Sequence, residues 1–355
     1  MEKIRLALAG VGNSSSALVQ GLHFYRKVDD PNTFVPGVMH PILGGYKISD
    51  IVPVLAFDVD ERKVGKDLSE AIFAPPNNAW KFTDVPKVGI EVQMGPVADG
   101  VPDHMLNMVK ISNKKPVGDI AGLLKKEKVD VLIINLPTGS AIASRLYAEA
   151  CIQAGCGMIN AIPELIVNDK DFAERAKKLG SPLIGDDYKS QVGGSIAHRA
   201  LAQLFLMRGV KITKSNQLNY GGHPDFWNLT HRGESKHASK QRSVTSIIPY
   251  DVDFSVNVSY LANMRGTKIC RIEQWGENFG NTPIKIEAKL TVEDSANGAG
   301  ICVDMIRCLK LAKDRGVGGV LISASACFMK SAPEQFPDEI AMRMLEEFIA
   351  GKRER

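Results

Sequence analysis

Apolar residues follow two rhythms along this chain, and the change from one to the other falls near residue 209. From Ile4 to Ala9, large and small apolar residues alternate before the segment GVGNSSS; Ala17, Leu18, Gly21 and Leu22 then recur at helical spacing. The pattern predicts strand, turn and helix. A second β-type run, IVPVLAFDVD, reaches Asp58, and a third, VDVLIINLP, ends at Pro137 ahead of a helix carrying Ile142, Leu146, Ala150 and Cys151. The short apolar pieces GMINAIP and SPLIGDD flank a helix that Asp169 or Asp171 would cap. Strands that are apolar almost throughout and alternate with helices predict a parallel sheet covered on both faces.

The second rhythm begins after the helix SIAHRALAQLFLMRG, which Gly209 is placed to terminate. In PIKIEAKLTVED, Ile284, Ile286, Ala288, Leu290 and Val292 point one way and Lys285, Glu287, Lys289 and Glu293 the other. One buried and one wet face predict an open antiparallel sheet. Lys268 shares a face with Cys270 and Ile272, an unusual place for a lysine unless its ammonium reaches a partner. The chain then returns to a long amphipathic helix, GICVDMIRCLKLAKDRG, an apolar run, VLISASACFM, and a helix from about Asp338 to Ala350. The fold class expected is α/β, with residues 1–195 and 312–355 forming a dinucleotide-binding domain and residues 196–311 inserted as a central α+β domain.

Composition narrows this picture. A chain of 355 residues with 44% hydrophobic and 24% charged residues is long enough for two domains. Its net charge of +4 is small, and no basic stripe with interleaved aromatics suggests nucleic acid. The first residues run straight into a strand and no apolar run approaches bilayer length, so a cytoplasmic protein without a membrane partner is expected. The six cysteines form no CxxC pair and the seven histidines no HExxH pattern.

Candidate chemistry sits in three places. Gly10 and Gly12 begin a partial GxGxxG signature in which Ser15 replaces the third glycine, with Asn13 and Ser14 between them. A strand before and a helix after make this a pyrophosphate-binding turn. Asp58 is the acid expected on the ribose hydroxyls, favouring NAD over NADP; the Pro- and Gly-rich stretch before it reads as an inserted loop or hairpin that lengthens the usual spacing of about 20 residues. NLPTGS, with Pro137 and Thr138, is a third cofactor contact at the end of another strand. Further on, GDDYKSQVGG concentrates acids, a lysine and hydrogen-bonding side chains in one strand-to-helix turn, and SKHASK places Lys236 and Lys240 on one helical face, where two ammonium groups invite an anion.

These segments closely resemble the myo-inositol-1-phosphate synthase family in its shorter bacterial form, through GVGNSSSALVQG, NLPTGS, GDDYKSQVGGSIAHR, QLNYGGHPDFWN, SKHASK, EDSANGAG and CFMKSAPEQ. The resemblance implies a Rossmann domain built from both chain ends and a central domain that carries catalysis and homotetramer contacts. It implies a recycled NAD, with oxidation, enolisation, intramolecular aldol closure and re-reduction turning glucose 6-phosphate into inositol phosphate. By the same resemblance Lys236, Lys240, Lys268 and Lys330 are the catalytic lysines. Lys330 and Lys236 are assigned proton transfer at the carbon 5 oxygen, and Lys240 and Lys268 the phosphate and the enolate. Asp187 with Lys189 is assigned to the nicotinamide, Asp294 to the cofactor, and Ser190, Gln191, Asn219, His223 and Asp225 to the substrate. An assisting cation is used by some members of the family, but the sequence displays no dedicated carboxylate cage.

This chain departs from the family pattern at His223, at Gln241 and in a shorter loop before Lys236. These departures surround the sugar and keep open a cyclase for another sugar phosphate, such as fructose 6-phosphate closed to a five-membered ring. A plain sugar-phosphate dehydrogenase is a further alternative, disfavoured because hydride transfer alone needs one base and not four lysines.

Overall fold

The computed structural model describes residues 2–355. Strand β1 (Ile4–Ala9) leads into helix α1 (Asn13–Phe24), and the segment after it folds over a short antiparallel pair, Ile42–Leu43 with Tyr46–Lys47, the expected hairpin. Strands β2 (Ile51–Asp58), β3 (Gln93–Met94), β4 (Val131–Ile134), β5 (Gly157–Asn160) and β6 (Pro182–Ile184) follow, with helices α2 (Ile120–Lys126), α3 (Ala141–Gln153) and α4 (Lys170–Lys178) between them. All pair in parallel in the order β3-β2-β1-β4-β5-β6, the doubly wound arrangement whose ligand crevice opens at the carboxyl ends of β1 and β4. Asp169 caps α4 by accepting from the amides of Asp171 and Phe172.

The alternation in β1 assigns its residues to two cores. Ile4, Leu6 and Leu8 face α1 and the C-terminal helices, whereas Ala7 and Ala9 face α3 through Tyr147 and Cys151. Each fully buried leucine or isoleucine here contributes about 1.5–3 kcal/mol relative to exposure.

Helix α5 (Gly194–Met207) crosses to the second unit and ends where Gly209 adopts φ +71°, a left-handed conformation that glycine alone adopts without steric cost. Strands β7 (Lys211–Gly221), β8 (Asp253–Tyr260), β9 (Thr267–Glu277) and β10 (Pro283–Glu293) then form a four-stranded sheet. It is mixed, not purely antiparallel: β8 lies parallel to β7 because helices α6 (Pro224–Arg232) and α7 (Glu234–Thr245) carry the chain back across the sheet between them. Alternation along β10 is as expected, but its apolar face is only half-buried, since the helices cover the sheet nearer β7.

Helix α8 (Asp294–Asp314) returns to the first sheet, where Cys302, Met305, Ile306 and Leu309 join the core of Ile4, Leu6 and Leu8. The expected boundary at 311 therefore cuts through a helix that packs mainly on the parallel sheet, with only its first turn reaching the second sheet. The run VLISASACFM is mostly helical: β11 (Gly319–Val320) extends the sheet beyond β6, and the rest is α9 (Ile322–Phe328). Helix α10 (Asp338–Ile349) closes the fold. Among the described residues no helix is long and apolar enough to cross a membrane.

Candidate active site

A single long cleft runs from the carboxyl ends of β1, β2 and β4 to the inner face of the second sheet. At its first end, Gly10 sits at φ +96° with a virtual Cβ 2.5 Å from the carbonyl oxygen of Asn135, so only glycine lets β1 and β4 approach this closely. A Cβ on Gly12 would touch no protein atom within 4 Å and would project into open cleft. That cradle, with the unpaired first-turn amides of α1 behind it and no acid in the turn, suits a pyrophosphate. Asn13 and Ser14 line it, while the Asn13 Oδ1 accepts from the amides of Asn78 and Ala79 at 2.8 and 2.9 Å. Ser15 turns inward instead, its hydroxyl donating to the Gly10 carbonyl at 2.6 Å, and so braces the turn without reaching the cleft. Asp58 lines the cleft at the end of β2, with its carboxylate accepting from the amides of Val11, Val59 and Asp60 at 2.9, 2.8 and 2.9 Å. Pro137 and Thr138 form the opposite wall.

At the other end four lysines converge from three elements. Lys236 and Lys240 come from α7, Lys268 from β9 and Lys330 from the turn after α9. Asp187 lies buried beneath them: one of its oxygens accepts from Lys236 at 2.7 Å and Lys330 at 3.0 Å, the other from the Ser239 hydroxyl at 2.6 Å. Lys240 donates to the Asn219 side chain at 3.1 Å and Lys268 to Asp294 at 2.9 Å. The partner that Lys268 needs on its apolar face is thus Asp294.

The four ammonium groups are not equivalent. Burial, reinforced by the charges of Lys268, Lys330 and Lys236, lowers Lys240 to about 7. Lys330 is also lowered to about 7, burial and the other lysines outweighing its contact with Asp187. Burial opposes the charge on Lys236 too, but the carboxylates of Asp187 and Asp225 prevail and raise it. Asp294 resists burial through Lys268 and His223 and is held at about 2, and Asp187 is pulled still lower by Lys236 and Lys330.

Most of the expected residues meet in this cleft, including Ser190, Asn219, His223 and Asp225. Lys189 does not. It is buried behind the turn, donating to the Ala326 carbonyl at 3.0 Å and pairing with Asp338, which also binds Arg199. Gln191 points away as well, donating to the Gly37 carbonyl at 2.7 Å and so tying the segment after α1 to the turn. Side chains on a tight turn alternate in direction, and here Ser190 faces the cleft between two neighbours that do not. Asp187 supports lysines without itself lining the cleft. His223 lines it, but its Nδ1 lies 2.7 Å from the Asn13 side-chain amide and 2.6 Å from Asn78 Oδ1, and its Nε2 lies 3.0 Å from the Ser295 hydroxyl. Both ring nitrogens are engaged by protein, so His223 is a strut between the α1 turn and the start of α8.

Sequence reasoning missed Ser195. Its hydroxyl is buried without a hydrogen-bond partner, and it lines the cleft beside Gly193 and Gly194 at the N-terminus of α5. The run GGS at a helix start was the available signal. Lys63, on the cleft wall beside Asp58, was also missed. Among the described residues no three His, Cys, Asp or Glu side chains gather as a metal site.

Fold and cleft together define a Rossmann-type protein whose dinucleotide turn opens onto a lysine cluster. The sequence pattern of the myo-inositol-1-phosphate synthase family matches residues 193–295. The chain is 45% identical to the inositol-3-phosphate synthase of Mycobacterium tuberculosis (strain CDC 1551 / Oshkosh), covering 98% of this chain and 96% of that one. It is 44% identical to the inositol-3-phosphate synthase of Corynebacterium glutamicum, covering 98% of each. The solved structure of Ari2 superposes with a TM-score of 0.80 at 34% identity over 99% of both chains. The chain belongs to the myo-inositol-1-phosphate synthase family.

Proposed function

We propose that this protein is an NAD-dependent inositol-3-phosphate synthase that converts glucose 6-phosphate to inositol 3-phosphate without net redox change. The observation that carries the reading is the cluster of Lys236, Lys240, Lys268 and Lys330, two of them paired with Asp187, at one end of the cleft that begins at the Gly10–Gly12 turn. The open space at Gly12, the α1 amides and Asp58 fit a dinucleotide, with the nicotinamide directed toward the lysines. Bound there, NAD would take a hydride from carbon 5 of the sugar and later return it.

The side chains supply everything else. The unpaired Ser195 hydroxyl and the N-terminus of α5 receive the phosphate, whose charge is further met by Lys240. An ammonium group poised near neutrality can pass a proton in either direction, which fits Lys330 to accept the proton of the carbon 5 hydroxyl as the ketone forms. The ketone acidifies carbon 6, and transfer of that proton to Lys240 gives an enolate, the same proton being returned from Lys240 to the alkoxide formed in the next step. As the enolate adds to carbon 1, the aldehyde oxygen becomes an alkoxide and takes a proton. Lys240, poised near 7, is the second proton carrier, whereas Lys236, held charged by Asp187, and Lys268, paired with Asp294, stabilise the developing oxyanions. This differs from the pairing expected from the sequence, in which Lys236 moved a proton with Lys330, and Lys240 and Lys268 served the phosphate and the enolate. Finally Lys330 returns its proton as the ring ketone is reduced.

The working unit is read as a homotetramer, supported by the uncovered outer face of the second sheet, where Leu218, Tyr220, Ile269 and Trp275 stand among charged residues without a covering layer; light scattering tests it. We divide the chain at the start of α5 and the end of β10, so that α8 stays with the dinucleotide domain. The reaction is tested by incubating the protein with glucose 6-phosphate and substoichiometric NAD. Inositol phosphate by NMR with no accumulation of NADH is expected. Stoichiometric NADH, or turnover of fructose 6-phosphate alone, overturns the assignment.

A further inference from the structure

Lys63 is buried at the ribose end of the cleft, and no step of the proposed reaction uses it. Its ammonium donates to the Val11 carbonyl at 2.9 Å and to Asn77 Oδ1 at 3.0 Å, and lies 3.5 Å from Asp58 Oδ2. The same oxygen of Asp58 accepts from the Val11 amide at 2.9 Å. Residue 11, between the two turn glycines, is thus gripped at its N–H by Asp58 and at its carbonyl by Lys63. The next acid on this strand end, Asp60, also faces the cleft and is neutralised by Arg62.

Two carboxylates at the ribose end are therefore each matched by a cation, and the local formal charge is zero. An acid at the end of the second strand discriminates against NADP by repelling a 2′-phosphate. Here a buried ammonium stands against that acid, so rejection of the phosphate depends on Asp58 occupying Lys63. Without the carboxylate, the ammonium would face the cleft with an unsatisfied N–H, and a buried cation lacking its partner binds an anion strongly.

We propose that Lys63 is a specificity-determining residue, a latent 2′-phosphate binder held in check by Asp58, so that the pair and not the acid alone sets the choice of dinucleotide. The proposal rests on reading the cleft as a dinucleotide site. Its test is the affinity of the purified full-length protein for NAD+ and NADP+, measured by calorimetry and free of any assay of turnover. Asp58→Ser is expected to tighten NADP+ about ten- to a hundredfold, the span of one charge-assisted contact. Asp58→Ser with Lys63→Met should lose that gain. Lys63→Gln in the same background keeps a hydrogen-bonding side chain without charge, guards against a misfolded methionine variant, and should lose it too. Lys63→Met alone should weaken NAD+ through the loosened Val11 grip. The proposal is overturned if Asp58→Ser gains no affinity for NADP+, or if either double variant keeps the gain. Wild-type protein that binds neither dinucleotide overturns the reading of the cleft itself, and this inference with it.

Discussion

The two ends of the cleft solve opposite problems. At the cofactor end every charge is matched and backbone amides do most of the holding: Asp58 takes three of them, and Asp58 and Asp60 each have a cation alongside. At the lysine end ammonium groups outnumber the carboxylates that contact them, and two are driven toward neutrality. A binding site gains by being satisfied before its ligand arrives. A site for proton transfer gains by being held short of satisfaction, because that is what brings an amine near neutrality. The contrast predicts that substitutions at the lysine end change rate and those at the glycine turn change affinity.

The largest effect is expected for Lys330. Lys330→Arg keeps a positive charge but cannot serve as a base at neutral pH, and turnover should fall by about 10²–10⁴ with NAD+ affinity unchanged. In the wild type, kcat/KM should decline as pH drops below about 7, since the ammonium form of Lys330 cannot accept a proton. Near-normal turnover of the arginine variant would reduce Lys330 to an electrostatic anchor and erase the distinction between the two ends.

Gly12→Ala addresses the cofactor end. The added methyl meets no protein atom, so the melting temperature should hardly change, yet it occupies the space read as the pyrophosphate cradle. We expect NAD+ affinity to fall about ten- to a hundredfold in calorimetry, by loss of close backbone approach and the contacts it permits. Gly10→Ala is the control: its left-handed φ and the Asn135 carbonyl make that change destabilising by about 1–3 kcal/mol even without cofactor.

Lys240→Met should separate stability from activity. The folded-state pKa of Lys240 lies below its unfolded value, so between about 7 and 10 the unfolded chain binds more protons and wild-type stability rises with pH. Removing this buried amine should raise stability by about 1–3 kcal/mol at pH 7 and flatten that rise, while turnover is lost. A melting temperature that falls in the variant would show that Lys240 is a structural cation and not a strained one.

The same contrast governs what was legible in the sequence. The glycine turn, Asp58 and the strands that carry them follow local rules, since a strand, two glycines and a helix within about twenty residues are read without knowing the rest of the fold. The lysine end is assembled from α7, β9 and the turn after α9; local spacing marked Lys236, Lys240 and Lys268 as unusual, but their convergence with Lys330 was visible only through family resemblance. Even then the resemblance named residues without orienting them. Lys189 and Gln191 lie in the matching motif yet point out of the cleft, because a turn directs neighbouring side chains to different sides. The parallel pairing of β7 with β8 was hidden for a related reason: alternation tells which face a residue occupies, not the direction of the neighbouring strand.

The smallest expected effect concerns Ser195. A buried hydroxyl without a partner is a cost to the folded protein, and such a cost persists where a ligand supplies the missing contact. Ser195→Ala removes the unpaired group and leaves the protein packing intact, so stability should stay level or rise by up to about 1 kcal/mol. If the hydroxyl instead donates to the sugar phosphate, KM for glucose 6-phosphate should rise about five- to twentyfold, with kcat nearly constant, since a phosphate contact made equally in ground and transition states affects binding alone. NAD+ affinity should not move, because Ser195 belongs to α5 and not to the α1 turn. A fall in kcat at unchanged KM would place Ser195 against the reacting carbons, and the boundary between the phosphate subsite and the proton-transfer lysines would have to be redrawn around it.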